Sequence, residues 1–92
     1  MPCIVKLEPA HDGKHKWIAH FQDGRKTRFG SAPYQDYTQH HDVERRRLYR
    51  ARHARDLNTK DPYRAGYLSY YILWGDSTSL KENVEAYNRR FC

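Results

Sequence analysis

KWIAHFQDGRKTRF, residues 16–29, is the stretch that decides the fold. Lys16 to Gln22 and Arg25 to Phe29 flank Asp23-Gly24, the strongest short hairpin signal, because both turn residues tolerate positive φ. In a two-residue turn Ile18 faces Phe29 across the ladder, while Trp17, Ala19 and Phe21 lie on the other face, so both faces of the small sheet carry apolar side chains. Upstream, Cys3, Val5 and Leu7 alternate with Ile4 and Lys6, a period of two that reads as a first strand closed by the turn-forming Glu8–Gly13 segment. The spacing therefore predicts a small N-terminal antiparallel sheet, a strand plus a β-hairpin, over about residues 3–30.

Beyond the sheet, Gly30 to Thr38 reads as a loop carrying Pro33, Tyr34 and Tyr37. Asp42 is the preferred N-cap of a helix over about residues 42–57, since Glu44 sits favourably in its first turn and Val43 opens a seam with Ala51, Ala54 and Leu57. Asp61-Pro62 places a capping oxygen before a first-turn proline and starts a second helix over about 62–74, with Gly75 as its terminator. Ser79-Leu80-Lys81-Glu82 has capping-box spacing, and Leu80, Val84, Tyr87 and Phe91 recur at i, i+4, i+7 and i+11 over about 80–91. Strand, hairpin and then three helices make an α+β arrangement in a single domain spanning 1–92.

Charge is concentrated in the first of those helices. Between Glu44 and Arg55 six arginines stand against one acid, a local +5 within a chain whose formal net charge is +6. Wound at 100° per residue, Arg45, Arg46, Arg47, Arg50, Arg52 and Arg55 circle the helix instead of forming one solvated stripe. A guanidinium grips phosphate or carboxylate with two parallel hydrogen bonds, so the run points to a polyanion or to an acidic protein surface. Arg25, Lys26 and Arg28 make the hairpin basic as well, and they are expected to extend that surface. If the run faces outward, charge reversal at Arg46 and Arg50 is expected to abolish partner binding while the fold is kept.

The second helix is apolar nearly all round. Tyr63, Tyr67, Leu68, Tyr70, Tyr71, Ile72, Leu73 and Trp74 together exceed what so small a sheet can bury, and Tyr67, Tyr70, Tyr71 and Trp74 are assigned to a protein interface; the plainer alternative is a core whose tyrosine hydroxyls reach the surface. Mean hydropathy is low, −1.10, yet aromatic residues reach 14% of the chain, more than a disordered segment carries. The most apolar run, Tyr67 to Trp74, is too short to span a bilayer, and the amino terminus reads as lacking a charged and then apolar leader. Cys3 and Cys92 can meet only if the ends of the chain are adjacent; the pattern is unlike a secreted disulfide framework, and a reducing, intracellular setting is expected.

No catalytic, metal or cofactor constellation emerges. His11 and His15 sit in a turn, His40 and His41 are adjacent and point apart on most backbones, and no CxxC knuckle accompanies them. Phosphate loop, nucleophile elbow and HExxH are all missing. His40, His41 and Asp42 beside Tyr34 and Tyr37 are read as a helix entry with its cap, so no enzyme is expected.

KHKWIAHFQDGRKTRFG at Lys14–Gly30, YQDYTQHHDVERRRLYRARHARDL at Tyr34–Leu57, AGYLSYYILWG at Ala65–Gly75 and SLKENVEAYNRRF at Ser79–Phe91 together resemble a family of small basic proteins. These are encoded by large DNA viruses of algae and protists, the nucleocytoplasmic large DNA viruses. The FG followed by a DYT loop, the helix entry from His40 to His53 and the aromatic patch Ile72-Leu73-Trp74 carry the resemblance, and tyrosines at Tyr67, Tyr70 and Tyr71 stand where relatives tend to have tryptophans. The resemblance implies a viral setting and carries over no mechanism. It places the chain inside the virion or the infected cell, in cytoplasm or nucleus, and not outside it. The expected role is a non-enzymatic structural or assembly protein, a minor capsid or internal virion component that binds acidic virion proteins. The alternative is a sequence-nonspecific binder of DNA or RNA through phosphate contacts.

Overall fold

A computed structural model describes residues 1–92. Three antiparallel strands, β1 (Ile4–Pro9), β2 (His15–Phe21) and β3 (Lys26–Ser31), form a meander in that order. Helices α1 (Tyr37–His40), α2 (Val43–His53), α3 (Ala65–Leu68) and α4 (Leu80–Phe91) follow; 3-10 turns at Ala54–Thr59 prolong α2, and α3 runs into a π-helical turn at Ser69–Leu73. The fold is α+β, with four helices instead of three because the loop before α2 folds its own short α1, capped by Asp36.

The hairpin register differs by one residue from that of a two-residue turn. Trp17 pairs with Phe29 and Ile18 with Arg28. Three residues make the connection, closed by the Phe21 N–H donating to the Arg25 carbonyl at 2.9 Å, with Gly24 at φ 92° supplying the left-handed bulge position. This moves Phe29 from the face of Ile18 to that of Trp17, Ala19 and Phe21, giving one apolar face to pack. In β1 the simple alternation also fails. The register shifts between Ile4 and Lys6, so Val5 stands 64% exposed while Ile4 opposite Phe21 and Leu7 opposite Ala19 join the same packed face.

On that face Ile4, Ala19, Phe21 and Phe29 meet Leu68, Ile72 and Leu73 from α3 and the π turn, and Tyr87 from α4. α4 is the helix its sequence predicts: Ser79 Oγ accepts from the Glu82 N–H, Tyr87 is buried, and Leu80, Val84 and Phe91 pack against the core. The second helix starts later than predicted. Asp61 does accept from the Tyr63 N–H, but the Pro62 and Tyr63 carbonyls are taken by the Tyr87 hydroxyl at 2.6 Å and the Thr27 hydroxyl at 2.8 Å, so helical bonding begins only at Ala65.

With 13 of 92 residues buried, polar ties carry much of the docking. Asn83, 2% exposed, donates to the Ile72 and Ser77 carbonyls and accepts from the Ser77 N–H. Gly75 is obligatory beside it, since a Cβ there would lie 2.3 Å from the Tyr71 carbonyl oxygen. Asn88 of α4 clamps the edge strand through both the N–H and the carbonyl of Ile4. Cys3 and Cys92 form a disulfide, with Cα atoms 4.7 Å apart. The bulged start of β1 and the end of α4, already joined through Asn88, bring the ends of the chain together.

Candidate functional site

Asp42 accepts from the Glu44 and Arg45 N–H groups and caps α2, with Glu44 favourably placed at the positive end of the helix. The predicted seam is not the face that packs: Val43 is 65% exposed and Ala51 and Ala54 are exposed too. The inward face is Arg46, Tyr49, Arg50 and His53, at i, i+3, i+4 and i+7. Two causes outweigh the aliphatic seam. Tyr49 stacks parallel on Trp74, centroids 4.2 Å apart and planes 6° apart, and aromatic contact of that kind adds to the gain from area alone. The two arginines lay their stems inward and their heads on carbonyls that the end of the π turn leaves unpaired. Arg46 Nε donates to the Gly75 carbonyl at 2.6 Å, and Arg50 Nη1 donates to those of Trp74 at 2.7 Å and Tyr70 at 3.2 Å.

The six arginines therefore divide. Arg46, which also pairs with Asp76 at 2.7 Å, and Arg50, whose guanidinium lies 4.0 Å above the Tyr70 ring, are structural. Arg47 pairs with Glu44 one turn back; both ends are exposed, and such a pair contributes little. Arg45, Arg52 and Arg55 are exposed and have neither a carboxylate nor a hydrogen-bond acceptor of their own chain. With Leu48 they recur at i, i+3, i+7 and i+10, one stripe along α2 and its 3-10 extension.

Beside the stripe lies a cleft of about 450 Å³ between α2 and the loop after β3. Tyr34 and Gln35 of the loop, Arg45, Leu48 and Arg52 of α2, and Trp74 line it. Gly30, at φ 82°, lets the loop leave β3 against the core, where a Cβ would lie 2.8 Å from Leu73. Asp36 then holds the loop in place: its carboxylate accepts from Lys16 Nζ at 2.7 Å, both side chains largely buried, and Gln39 Oε1 accepts from the same ammonium. Beneath the cleft the rings are layered. His53 stacks on Tyr49 at 4.2 Å, Tyr49 on Trp74, and His40 packs 5.2 Å from Trp74. Burial pushes the Tyr49 hydroxyl up to about 12, so it stays protonated. Burial also lowers the pKa of His40, followed by the charge of Arg45; its Nδ1 accepts from the Asp42 N–H and its buried Nε2 has no partner.

The hairpin cations do not extend this surface. Lys26 and Arg28 alternate with Thr27 and Phe29 and so occupy the sheet face turned away from the core. Arg28 approaches Asp12 at 3.6 Å, and Arg25 lies 4.3 Å over the Tyr63 ring. The aromatic interface assigned from sequence is largely consumed internally. Tyr67 is buried and donates to the Leu57 carbonyl, Tyr70 is covered by Arg50, Tyr71 packs edge-on against Phe91, and Trp74 lies under Tyr49. The sequence reading missed Leu48 as a member of the site, and it took Tyr34 only as loop. Nothing in local sequence says that the loop folds back over α2. No three His, Cys, Asp or Glu side chains gather to hold a metal ion, and no helix is long and apolar enough to cross a membrane.

Compared with known proteins, residues 5–53 match the model of a family of unknown function, DUF5754. The match runs from β1 to the end of α2 over more than half of the chain, and it takes in Tyr34, Arg45, Leu48 and Arg52. No curated protein and no solved structure matches the chain. The chain belongs to the DUF5754 family.

Proposed function

We propose that this DUF5754 protein is a non-enzymatic, sequence-nonspecific nucleic-acid-binding component of a large DNA virus particle. The observation that carries the reading is the division of the arginines: Arg46 and Arg50 serve the fold, Arg47 pairs with Glu44, and Arg45, Arg52 and Arg55 remain exposed and without partners on one stripe. Like charges left together on a helix repel one another unless something anionic arrives from outside. A capsid-protein contact through Tyr67, Tyr70, Tyr71 and Trp74 has less support, because these rings already pack within the chain. In the helix entry His40 Nδ1 and the Asp42 carboxylate accept backbone N–H groups, a capping arrangement that favours a binding role over a catalytic one.

The viral setting rests on the sequence resemblance, and the disulfide suits a particle that leaves the reducing interior of the cell. With three phosphates neutralised, log affinity for duplex falls with log salt at a slope of about −2.7. Glu in place of Arg45, Arg52 and Arg55 removes binding and leaves the circular-dichroism spectrum and melting temperature unchanged. Mass spectrometry of purified particles, before and after nuclease and high-salt stripping, locates the protein. Release with the genome is the expected result; retention with the emptied shell would favour an acidic protein partner instead, and absence from particles would sink the viral role.

A further inference from the structure

We infer that the cleft beside α2 takes one unstacked base of a single-stranded nucleic acid, its flanking phosphates held by Arg45 and Arg52. This rests on the polyanion-binding reading above and names the form of nucleic acid that the site prefers. Four observations converge. No Asp or Glu lines the cleft, and both of its cations are free. Its volume, about 450 Å³, falls within the range of small-ligand pockets, roughly 300–1,000 Å³, which can admit one base and not the flank of a double helix. Its rim carries Tyr34, 72% exposed, whose ring stacks on no other ring of the chain. Trp74, held by its stack on Tyr49, also lines the cleft, with Leu48, 48% exposed, between Arg45 and Arg52 in the sequence of α2.

An exposed tyrosine ring with apolar side chains opposite is a poor arrangement for a protein alone in water, and it matches the stacking platforms that accept bases of single strands. Arg45 and Arg52 are seven residues apart, about 10 Å along the helix axis, so their flexible arms can reach phosphates on either side of one nucleotide. A base inside a duplex has both faces covered by its neighbours and cannot enter. Gln35 adds an amide at the edge of the cleft. It can hydrogen-bond any base edge, and it implies no fixed base preference.

Fluorescence anisotropy with a labelled single-stranded oligonucleotide and a duplex carrying the same number of phosphates, over a series of salt concentrations, tests the inference. The single strand is expected to bind about tenfold more tightly, a factor within the range of one base–aromatic stack. Tyr34→Ala should abolish that preference and leave duplex affinity within about twofold. Leu48→Glu, also at an exposed position, should remove single-strand binding with an unchanged melting temperature. Replacing Arg45 and Arg52 with alanine should reduce the single-strand salt slope by about 1.4, two phosphates at about 0.7 each. Equal affinity for both forms, or indifference to Tyr34→Ala, would overturn the base-in-cleft inference while leaving phosphate binding intact. Failure of both forms to bind at low salt would overturn both readings.

Discussion

Arg50 and Arg52 are two residues apart and do opposite things. Arg50 supplies donors to two carbonyls and lies over a ring; Arg52 makes no hydrogen bond or ion pair within its own chain. Arg50→Ala leaves two carbonyls unpaired near the core and should cost about 2 kcal/mol by chemical denaturation, whereas Arg52→Ala should stay within about 0.5 kcal/mol and show its loss only in binding. The charge reversal at Arg46 and Arg50 suggested by sequence would therefore damage the fold before it reported on a partner. Composition displays six similar arginines, and their division depends on where the π turn ends, 20 and more residues downstream. His40 gives a second test at this scale. Its folded pKa lies below the ordinary value of 6.5 because of burial, so above that pH both folded and unfolded chains carry the neutral ring. As pH falls through 6.5 the unfolded chain takes up the proton first, and stability drops. Comparing denaturation curves of the wild type and His40→Gln should show a difference that opens only below about pH 6.5; parallel curves would mean that the ring is solvated.

Elements that announce themselves by local chemistry were legible. α4 follows from its capping box and heptad-like apolar repeat, Asp42 as the cap of α2 from its position before Val43, and the hairpin from Asp23-Gly24. The hairpin register was not legible, because Asp23-Gly24 suits both a two-residue turn and a three-residue turn with a glycine bulge, and only the packing of Phe29 with Trp17 separates them. The packing face of α2 was hidden for a related reason. A search for aliphatic periodicity finds Val43, Ala51 and Ala54, while the helix is held by an aromatic stack and two arginine stems. What positions the cleft is neither strand nor helix but the turn at Asp36. Asp36→Ala strands the largely buried Lys16 ammonium and should cost about 3 kcal/mol, with the loop carrying Tyr34 losing its anchor. Thermal denaturation measures the first effect, and loss of single-strand preference the second.

At the scale of the whole molecule, a modest core of eight clustered residues is supplemented by one covalent tie between residues 89 apart in sequence. On the chain-entropy account a bridge enclosing nearly the full chain stabilises by about 4–5 kcal/mol, comparable with the entire net stability of many small domains. Urea denaturation with and without a thiol reductant should differ by that amount, and a Cys3→Ser, Cys92→Ser double variant should match the reduced protein in both conditions. The order of strand, hairpin and helices indicated the α+β arrangement correctly. Adjacency of the ends was not visible, since it arises from Asn88 gripping Ile4 across 84 residues.

That bridge also makes the polypeptide, in effect, a ring. A protease that severs one exposed peptide, for instance near Asn58–Lys60, does not release a fragment: the two halves stay fastened at Cys3 and Cys92, gain only the mass of a water molecule, and travel as one species until a thiol parts them. Cleavage in an oxidising milieu is then invisible by size, and a single nick need not separate the half bearing the arginine stripe from the half bearing Trp74.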